Sequence, residues 1–342
     1  MTTFTSTEIR LAARPQGWPT PQDFVTETVE HADLQPGQVR VVNEFLSVDP
    51  YMRGRMSAAR SYVKPYELGE TVTGGAVGRV VESAADELPA GTLVLHQHGW
   101  TDRVQAGAED FRPVPELHGL PHSAYLGILG MPGMTAYLGL TRIAGLREGD
   151  TVLVSGAAGA VGTAVGQIAR RLGAARVIGS AGSSGKTAAL TQKYGYDVAL
   201  DYKDAPIREQ LVRAVDEDRV DVFFDNVGGD HLEAALDVMA DFGRIALCGQ
   251  ISGYNATQRP AGPDNLGNVL TRRLRMQGFI VTEVAAAHPG AVEEFRERMT
   301  GWLSSGDVVF EETVMDGFDR TVEAFLAMMR GENRGKMIVR LG

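Results

Sequence analysis

Between residues 151 and 162 an apolar run, Thr151-Val-Leu-Val-Ser155, passes directly into Gly-Ala-Ala-Gly-Ala-Val-Gly162. A strand that ends in small residues and reopens as a helix belongs to a parallel α/β sheet. The next 130 or so residues keep the alternation. Strands are expected at 151–155, 176–180, 198–200, 220–225, 244–248 and 276–281, with helices at 160–172, 185–194, 207–215 and 231–239. The fold class that follows is α/β, a doubly wound parallel sheet covered on both faces.

The residues before this run read differently. Segments 38–48, 70–82 and 92–95 are strand candidates with glycine and proline between them, which suggests a small barrel-like or sandwich-like β domain. Segment 126–140 leads into a helix, with Met131-Pro-Gly133 at its start. Near the C-terminus, helices are expected at 291–304 and 318–329 and a strand at 336–341. This tail is expected to return to the first domain, the alternative being a tail packed on the sheet domain alone. The boundaries expected are 1–126, 127–307 and 308–342.

Ala157, Gly159 and Gly162 keep the spacing of G-x-G-x-x-G, with alanine in the first place. Gly159 lets the backbone approach a pyrophosphate, Gly162 lets helix and strand pack closely, and the helix N-terminus faces the phosphates. A tight turn in a flavodoxin-like sheet is the other reading. A site for NAD carries an acid at the end of the second strand, whereas this strand ends Ile178-Gly-Ser-Ala-Gly-Ser-Ser-Gly-Lys186. Ser180, Ser183 and Lys186 suit a 2′-phosphate, so NADPH/NADP+ is favoured; a solvated Lys186 is the plain alternative. Tyr202 packs on the ribose or adenine side, or is an ordinary loop aromatic. Asn226, Cys248 and Gly249 follow the fourth and fifth strands and should approach the nicotinamide half. Cys248 has no base partner in the sequence and reads as a small packing residue.

Composition narrows the function. With 33 Lys and Arg against 43 Asp and Glu, the net charge is −10, and no basic tract offers a footprint for nucleic acid. The opening MTTFTSTEIRLAARPQGWP lacks a signal-peptide profile, and no apolar run reaches the ~18 residues of a membrane span. A cytoplasmic enzyme, without a membrane partner, is expected. A catalytic zinc needs three protein ligands. One cysteine and the scattered pairs His96/His98 and His118/His122 supply no such set, so no metal is expected. His98 is the one histidine of interest for the cleft; Asp49 and Glu67 read as structural carboxylates.

Taken together, Val48-Asp-Pro-Tyr-Met-Arg53, Gly99-Trp-Thr101, Gly130-Met-Pro-Gly-Met-Thr-Ala-Tyr137, Ala157–Gly162, Phe224-Asp-Asn-Val-Gly-Gly229, Cys248-Gly-Gln-Ile-Ser-Gly-Tyr-Asn255 and Gly331-Glu-Asn-Arg-Gly-Lys336 carry a resemblance. They resemble the zinc-free branch of the medium-chain dehydrogenase/reductase superfamily, with its prostaglandin, alkenal and curcumin reductases. The resemblance covers nearly the whole chain. It implies a GroES-like β-rich barrel domain, completed by the C-terminal tail, beside a Rossmann domain that binds NADPH. It also implies cofactor contacts from Met131, Thr135, Ala157, Gly159, Ala160, Val161, Gly162, Ser180, Gly182, Lys186, Tyr202, Asn226, Cys248, Gly249, Tyr254 and Asn333. Tyr254 takes the place of the tyrosine that polarises the substrate carbonyl, and Tyr51 a place that shapes the substrate pocket. Asp201-Tyr-Lys203 stands where Asn-Tyr-Lys is common, and Arg334 where an apolar residue is frequent.

The function implied is NADPH-dependent reduction of the C=C bond of a small enone or enal. A zinc-independent alcohol dehydrogenase or a carbonyl or quinone reductase stays as an alternative, and so does a non-catalytic NADPH-binding protein. A homodimer through the nucleotide-binding domains is implied as well, with 276–281 as its edge strand; a covered or charged monomer edge is the other possibility.

Overall fold

The computed structural model describes residues 4–215, 219–258 and 260–342. The expected first domain begins on residues 1–3, which lie outside the described residues. The chain divides into two units. One comprises the residues up to Leu126 with Glu312–Asn333 and Met337–Gly342; the other comprises Gly127–Glu311 and Arg334–Lys336.

In the first unit, β1 (Thr5–Leu11) and β2 (Phe24–Glu30) form an antiparallel hairpin sheet. The sequence reading passed over both strands because they are largely polar: only Ser6, Ile9 and Leu11 of the fourteen residues are buried. β3 (Gln38–Ser47) is the hub of a larger antiparallel sheet, pairing with β4 (Ala76–Ser83) and β6 (Arg103–Gly107). β5 (Leu93–His96) and β7 (Arg112–Pro113) extend it. Val39 and Val41 alternate inward from β3 onto Val80, Val94, Val104 and Phe111, the period-2 packing of a half-buried strand. The strand expected over 70–82 begins only at Ala76. Before it, Thr71 and Gly74 make single bridges, because the glycines there leave little side chain to pack.

The second unit is built on β8 (Thr151–Val154), β9 (Arg176–Ala181), β10 (Val198–Asp201), β11 (Val220–Asp225), β12 (Met239–Leu247) and β13 (Arg275–Gly278). All pairs are parallel, in the order β10-β9-β8-β11-β12-β13. In this order the chain reverses direction across the sheet between β8 and β11, and ligands of such sheets bind beyond the strand ends at that point. Every residue of β8 is buried, as a strand covered on both faces requires. The sixth strand is shorter than the expected 276–281. It stops at Gly278, and Val281 opens the Val281–Ala287 helix and is buried there.

One ring fixes how the first helix lies on the sheet. Tyr196 is buried between the Ala160–Arg171 helix and β9. A Cβ on Gly166 of the helix would lie 2.2 Å from its ring, and one on Gly179 of the strand 2.6 Å. The Tyr196 hydroxyl donates to Gly162 O at 2.6 Å, so both its apolar body and its polar tip are used.

The C-terminal residues add β14 (Glu312–Asp316), the Thr321–Met329 helix and β15 (Lys336–Arg340). β15 pairs antiparallel with β3. Phe325 of the helix packs edge-on to Trp100, with ring centroids 5.5 Å apart.

The slot around Tyr196 gives a test. Gly166→Ala should destabilise the protein by about 1–3 kcal/mol, the usual cost of overpacking, read from the urea midpoint at unchanged m-value. A shift below about 0.5 kcal/mol would mean that the ring yields and does not fix the helix.

Candidate active site

The ends of β8, β11 and β12 are tied together by one buried residue, Asp225, through its carboxylate and its main-chain carbonyl. Asp225 Oδ1 accepts from Ser155 Oγ at 2.7 Å, Gly228 N at 2.9 Å and Val227 N at 3.0 Å. Its main-chain carbonyl accepts from Cys248 N at 2.8 Å and Gly249 N at 3.0 Å. Asn226 is held by the same serine: its N–H donates to Ser155 Oγ and its Nδ2 to Ser155 O, both at 2.8 Å. Burial holds the Asp225 carboxyl above the usual carboxylate range, opposed by the hydrogen bonds on Oδ1. Oδ2 is buried with no hydrogen-bond partner. The sequence reading singled out Asn226 and gave Asp225 and Ser155 no role. An acid closing an apolar strand just before a Gly-Gly turn was the signal.

The glycine-rich turn follows β8. The sequence reading placed alanine where the first glycine of the fingerprint belongs. In the structure the turn is made one residue earlier, by Gly156 at φ +59°, a left-handed conformation that favours glycine. Ala157 is fully buried, and its N–H donates to Ser180 O at 2.9 Å, tying the turn to β9. Gly159 is the N-cap of the Ala160–Arg171 helix, with Ala160 and Val161 partly exposed in its first turn. A Cβ on Gly162 would lie 2.5 Å from Ala157 Cα, so the third glycine does allow close packing. A Cβ on Gly159 would meet only Gly156 O, at 3.4 Å, which leaves the outer side of the turn open to a phosphate.

At the end of β9, Ser180 is 1% exposed and its hydroxyl has no partner. Gly182 follows, backed by Tyr202, whose hydroxyl is 2.7 Å from the place of a Gly182 Cβ. Tyr202 stands edge-on to His231, with centroids 5.2 Å apart. Ser183 caps the Ser184–Lys193 helix and accepts from Lys186 N. Burial and the nearby Lys203 and Arg334 hold the Lys186 ammonium below the usual lysine range. An orphaned hydroxyl, a capped helix start and crowded cations fit a phosphate on the adenosine half of a dinucleotide.

Beyond β12, Gly249 is overlaid by Tyr254, whose hydroxyl is 3.7 Å from the place of a Gly249 Cβ. Tyr254 directly follows the short Ile251–Gly253 turn of helix. Met131 opens the Met131–Leu138 helix and is exposed, while Thr135, one turn on, is buried. Thus Ala157, Gly159, Gly162, Ser180, Gly182, Lys186, Tyr202, Asn226, Cys248, Gly249 and Tyr254 all lie at or just beyond strand ends of one sheet.

Tyr51 and Asn333 belong to the first unit. Tyr51 opens the Tyr51–Arg55 helix, and burial followed by the neighbouring Asp49 pushes its phenol up. Asn333 lies in the turn before β15. His96 is buried and bonded to Asn43 Oδ1 at 2.7 Å; burial and then His98 bring its ring to a pKa of about 3. His98 stacks near Phe111 and stands 3.6 Å from Asp110. Ser47 hydrogen-bonds Asp49, and Glu67 pairs with Lys64 at 3.4 Å. Among the described residues no group of three or more His, Cys, Asp or Glu is placed to hold a metal ion.

Cys248 is partly exposed, yet burial of its sulfur and then the Asp225 charge push its thiol up to about 12. Native protein at pH 8 should therefore react with iodoacetamide at least about 100-fold more slowly than a free thiol, because the thiolate is the nucleophile. Mass spectrometry of a time course measures this; labelling at the free-thiol rate would mean an activated cysteine.

Comparison with known proteins supplies the lineage. Residues 7–114 match a family described as the N-terminal domain of oxidoreductase, and residues 160–304 one described as zinc-binding dehydrogenase. NADPH-dependent curcumin reductase of Escherichia coli is 39% identical over 335 residues, covering 97% of this chain and 95% of that protein. Prostaglandin reductase 1 of Rattus norvegicus is 41% identical over 332 residues, covering 95% and 96%. CurA from Vibrio vulnificus, solved in complex with NADPH, is 38% identical, superposes with a TM-score of 0.91 and is covered to 99% by 98% of this chain. With a Rossmann-ordered parallel sheet and a β-rich N-terminal unit as well, the chain belongs to the branch of the medium-chain dehydrogenase/reductase superfamily that contains the curcumin and prostaglandin reductases.

Proposed function

We propose that the protein is an NADPH-dependent oxidoreductase that reduces the activated C=C bond of small α,β-unsaturated ketones or aldehydes. The observation that carries this reading is the end-to-end likeness to a curcumin reductase and to prostaglandin reductase 1. Residues 127–307 take the cofactor-binding role in this reading, and residues 1–126 with 308–342 the substrate-binding role. The site residues fit the cofactor: the turn at Gly159 is open, Ser180 presents an unpartnered hydroxyl, and Lys186 lies in a cationic neighbourhood.

When bound, NADPH supplies a hydride to the β-carbon of the substrate. Gly159 leaves room for the pyrophosphate, and the start of the Ala160–Arg171 helix turns its main-chain N–H groups to it. Lys186 and Tyr202 hold the 2′-phosphate end, and Met131, Thr135, Ala160, Val161, Gly182, Asn226, Cys248 and Gly249 line the cofactor. Tyr254 donates its O–H to the substrate carbonyl, where negative charge grows as the hydride arrives. A donor aimed at developing charge stabilises the transition state more than the ground state. The roles that the resemblance gives Tyr51 and Asn333 are part of the same proposal.

No helix among the described residues is long and apolar enough to cross a membrane, and we take the protein to act in the cytoplasm. β13 is an edge strand with all four residues exposed; pairing with a second copy there makes a homodimer, which sedimentation would test.

Tyr254→Phe removes only the hydroxyl. It should lower kcat by 10- to 100-fold, about 1.4–2.8 kcal/mol, with NADPH binding unchanged by fluorescence titration. An unchanged kcat with hydride transfer limiting would reduce Tyr254 to a pocket wall. Product analysis in the same assay decides the chemistry: a saturated ketone supports the proposal, and an allylic alcohol assigns carbonyl reduction instead.

A further inference from the structure

We propose that Arg334, together with Lys203, completes the subsite for the 2′-phosphate around Lys186, so that three separate segments each bring a cation to it. This rests on the NADPH reading above and names a determinant of the choice between NADPH and NADH.

The first segment is the short run Arg334–Lys336, which belongs to the nucleotide-binding unit. It lies alongside the glycine-rich turn: Gly335 N donates to Ala158 O at 2.9 Å, and Gly159 and Gly335 form a parallel bridge. Gly335 has φ +62°, and a Cβ there would lie 1.9 Å from Glu311 O, so the backbone before it has little freedom. Arg334 is thereby fixed next to the phosphate turn. Its Nε stands 3.6 Å from Glu311 Oε1. Glu311 also takes Lys193 Nζ at 3.2 Å and the Tyr194 hydroxyl at 2.8 Å.

The second segment follows β10. Lys203 folds back over the end of β9, with Cε 3.1 Å from the place of a Gly182 Cβ. Its main-chain N–H donates to Asp201 Oδ1 at 3.0 Å. The third is the start of the Ser184–Lys193 helix with Lys186, capped by Ser183. Ser180, 1% exposed, brings a hydroxyl without a partner to the same strand end.

Charge explains why these groups point to a ligand. Glu311 pairs with both Lys193 and Arg334, so one carboxylate meets two cations beside the turn. A phosphate monoester brings about −1.5 to −2. The ammonium of Lys186 is held below the usual range by its burial and by Lys203 and Arg334. A bound dianion would reverse that repulsion, since an opposite charge within a few ångströms favours the charged form. Arg334 adds a planar fork of donors, which suits phosphate oxygens better than a point charge.

The test is calorimetric titration with adenosine 2′,5′-bisphosphate and with 5′-AMP, which needs no turnover. Arg334→Ala should weaken the bisphosphate about tenfold and 5′-AMP less than about twofold, with Arg334→Lys recovering most of the loss. Equal losses for both ligands, or none, would overturn the proposal. Wild-type protein that does not prefer the bisphosphate would sink the NADPH reading itself; a wild-type preference untouched by Arg334→Ala would sink only the role of Arg334. Should Arg334→Ala fail to fold, Glu311→Gln keeps the cation and removes its partner. It should retain the preference for the bisphosphate, and loss of that preference would overturn the proposal.

Discussion

The carboxylate of Asp225 is the interaction on which the cofactor half of the protein depends. A single side chain with its own carbonyl gathers Ser155, Val227, Gly228, Cys248 and Gly249, and through Ser155 it sets Asn226. Three neighbouring strands therefore end at one fixed level. Without that tie each loop would choose its own path, and the loop entropy of three separate turns would have to be lost again on binding. The arrangement has a cost, because one oxygen of a fully buried acid is left without a partner. Polar groups held unsatisfied in this way are concentrated where a ligand or a reaction supplies the missing partner.

The sheet order turns this local tie into a binding edge. β8 and β11 are adjacent, and the chain leaves them for opposite sides of the sheet. The loops beyond them are thus forced apart, and the glycine-rich turn lies at the parting. Tyr196 then sets the height of the first helix through its slot between Gly166 and Gly179 and its bond to Gly162 O. Helix height matters because the open N–H groups at the helix start must reach a pyrophosphate without a side chain in between.

How much of this the sequence discloses depends on the range of the interaction. The parallel sheet is legible because short apolar runs such as Thr151–Val154 alternate with helical segments at regular spacing. The seven-stranded sheet of the first unit is partly legible, since β3 alternates inward and outward. The β1–β2 hairpin is not, because its exposed faces are Thr and Glu, whose period carries no hydrophobic signal. The positions of Gly159 as N-cap and Gly162 as the closely packed glycine of the first helix are legible from spacing. The positive φ of Gly156 is not legible, since spacing alone does not say which residue of the turn takes it. The contact of Gly335, next to Arg334, with Ala158 joins residues about 180 positions apart, and no local pattern announces it.

The electrostatics close the argument about partners. The chain carries ten more acidic than basic residues, a balance that disfavours polyanionic nucleic acid. A dinucleotide is also an anion, yet the two cases differ in scale. Nucleic acid presents charge over tens of ångströms and responds to the whole surface, whereas a single phosphate is felt within about one Debye length, near 8 Å at physiological salt. Within that radius only neighbouring groups count. Around Lys186 these include Lys203 and Arg334, with a helix start and a serine hydroxyl at the same strand end. An acidic protein can therefore hold an anionic cofactor in a local reversal of its own field.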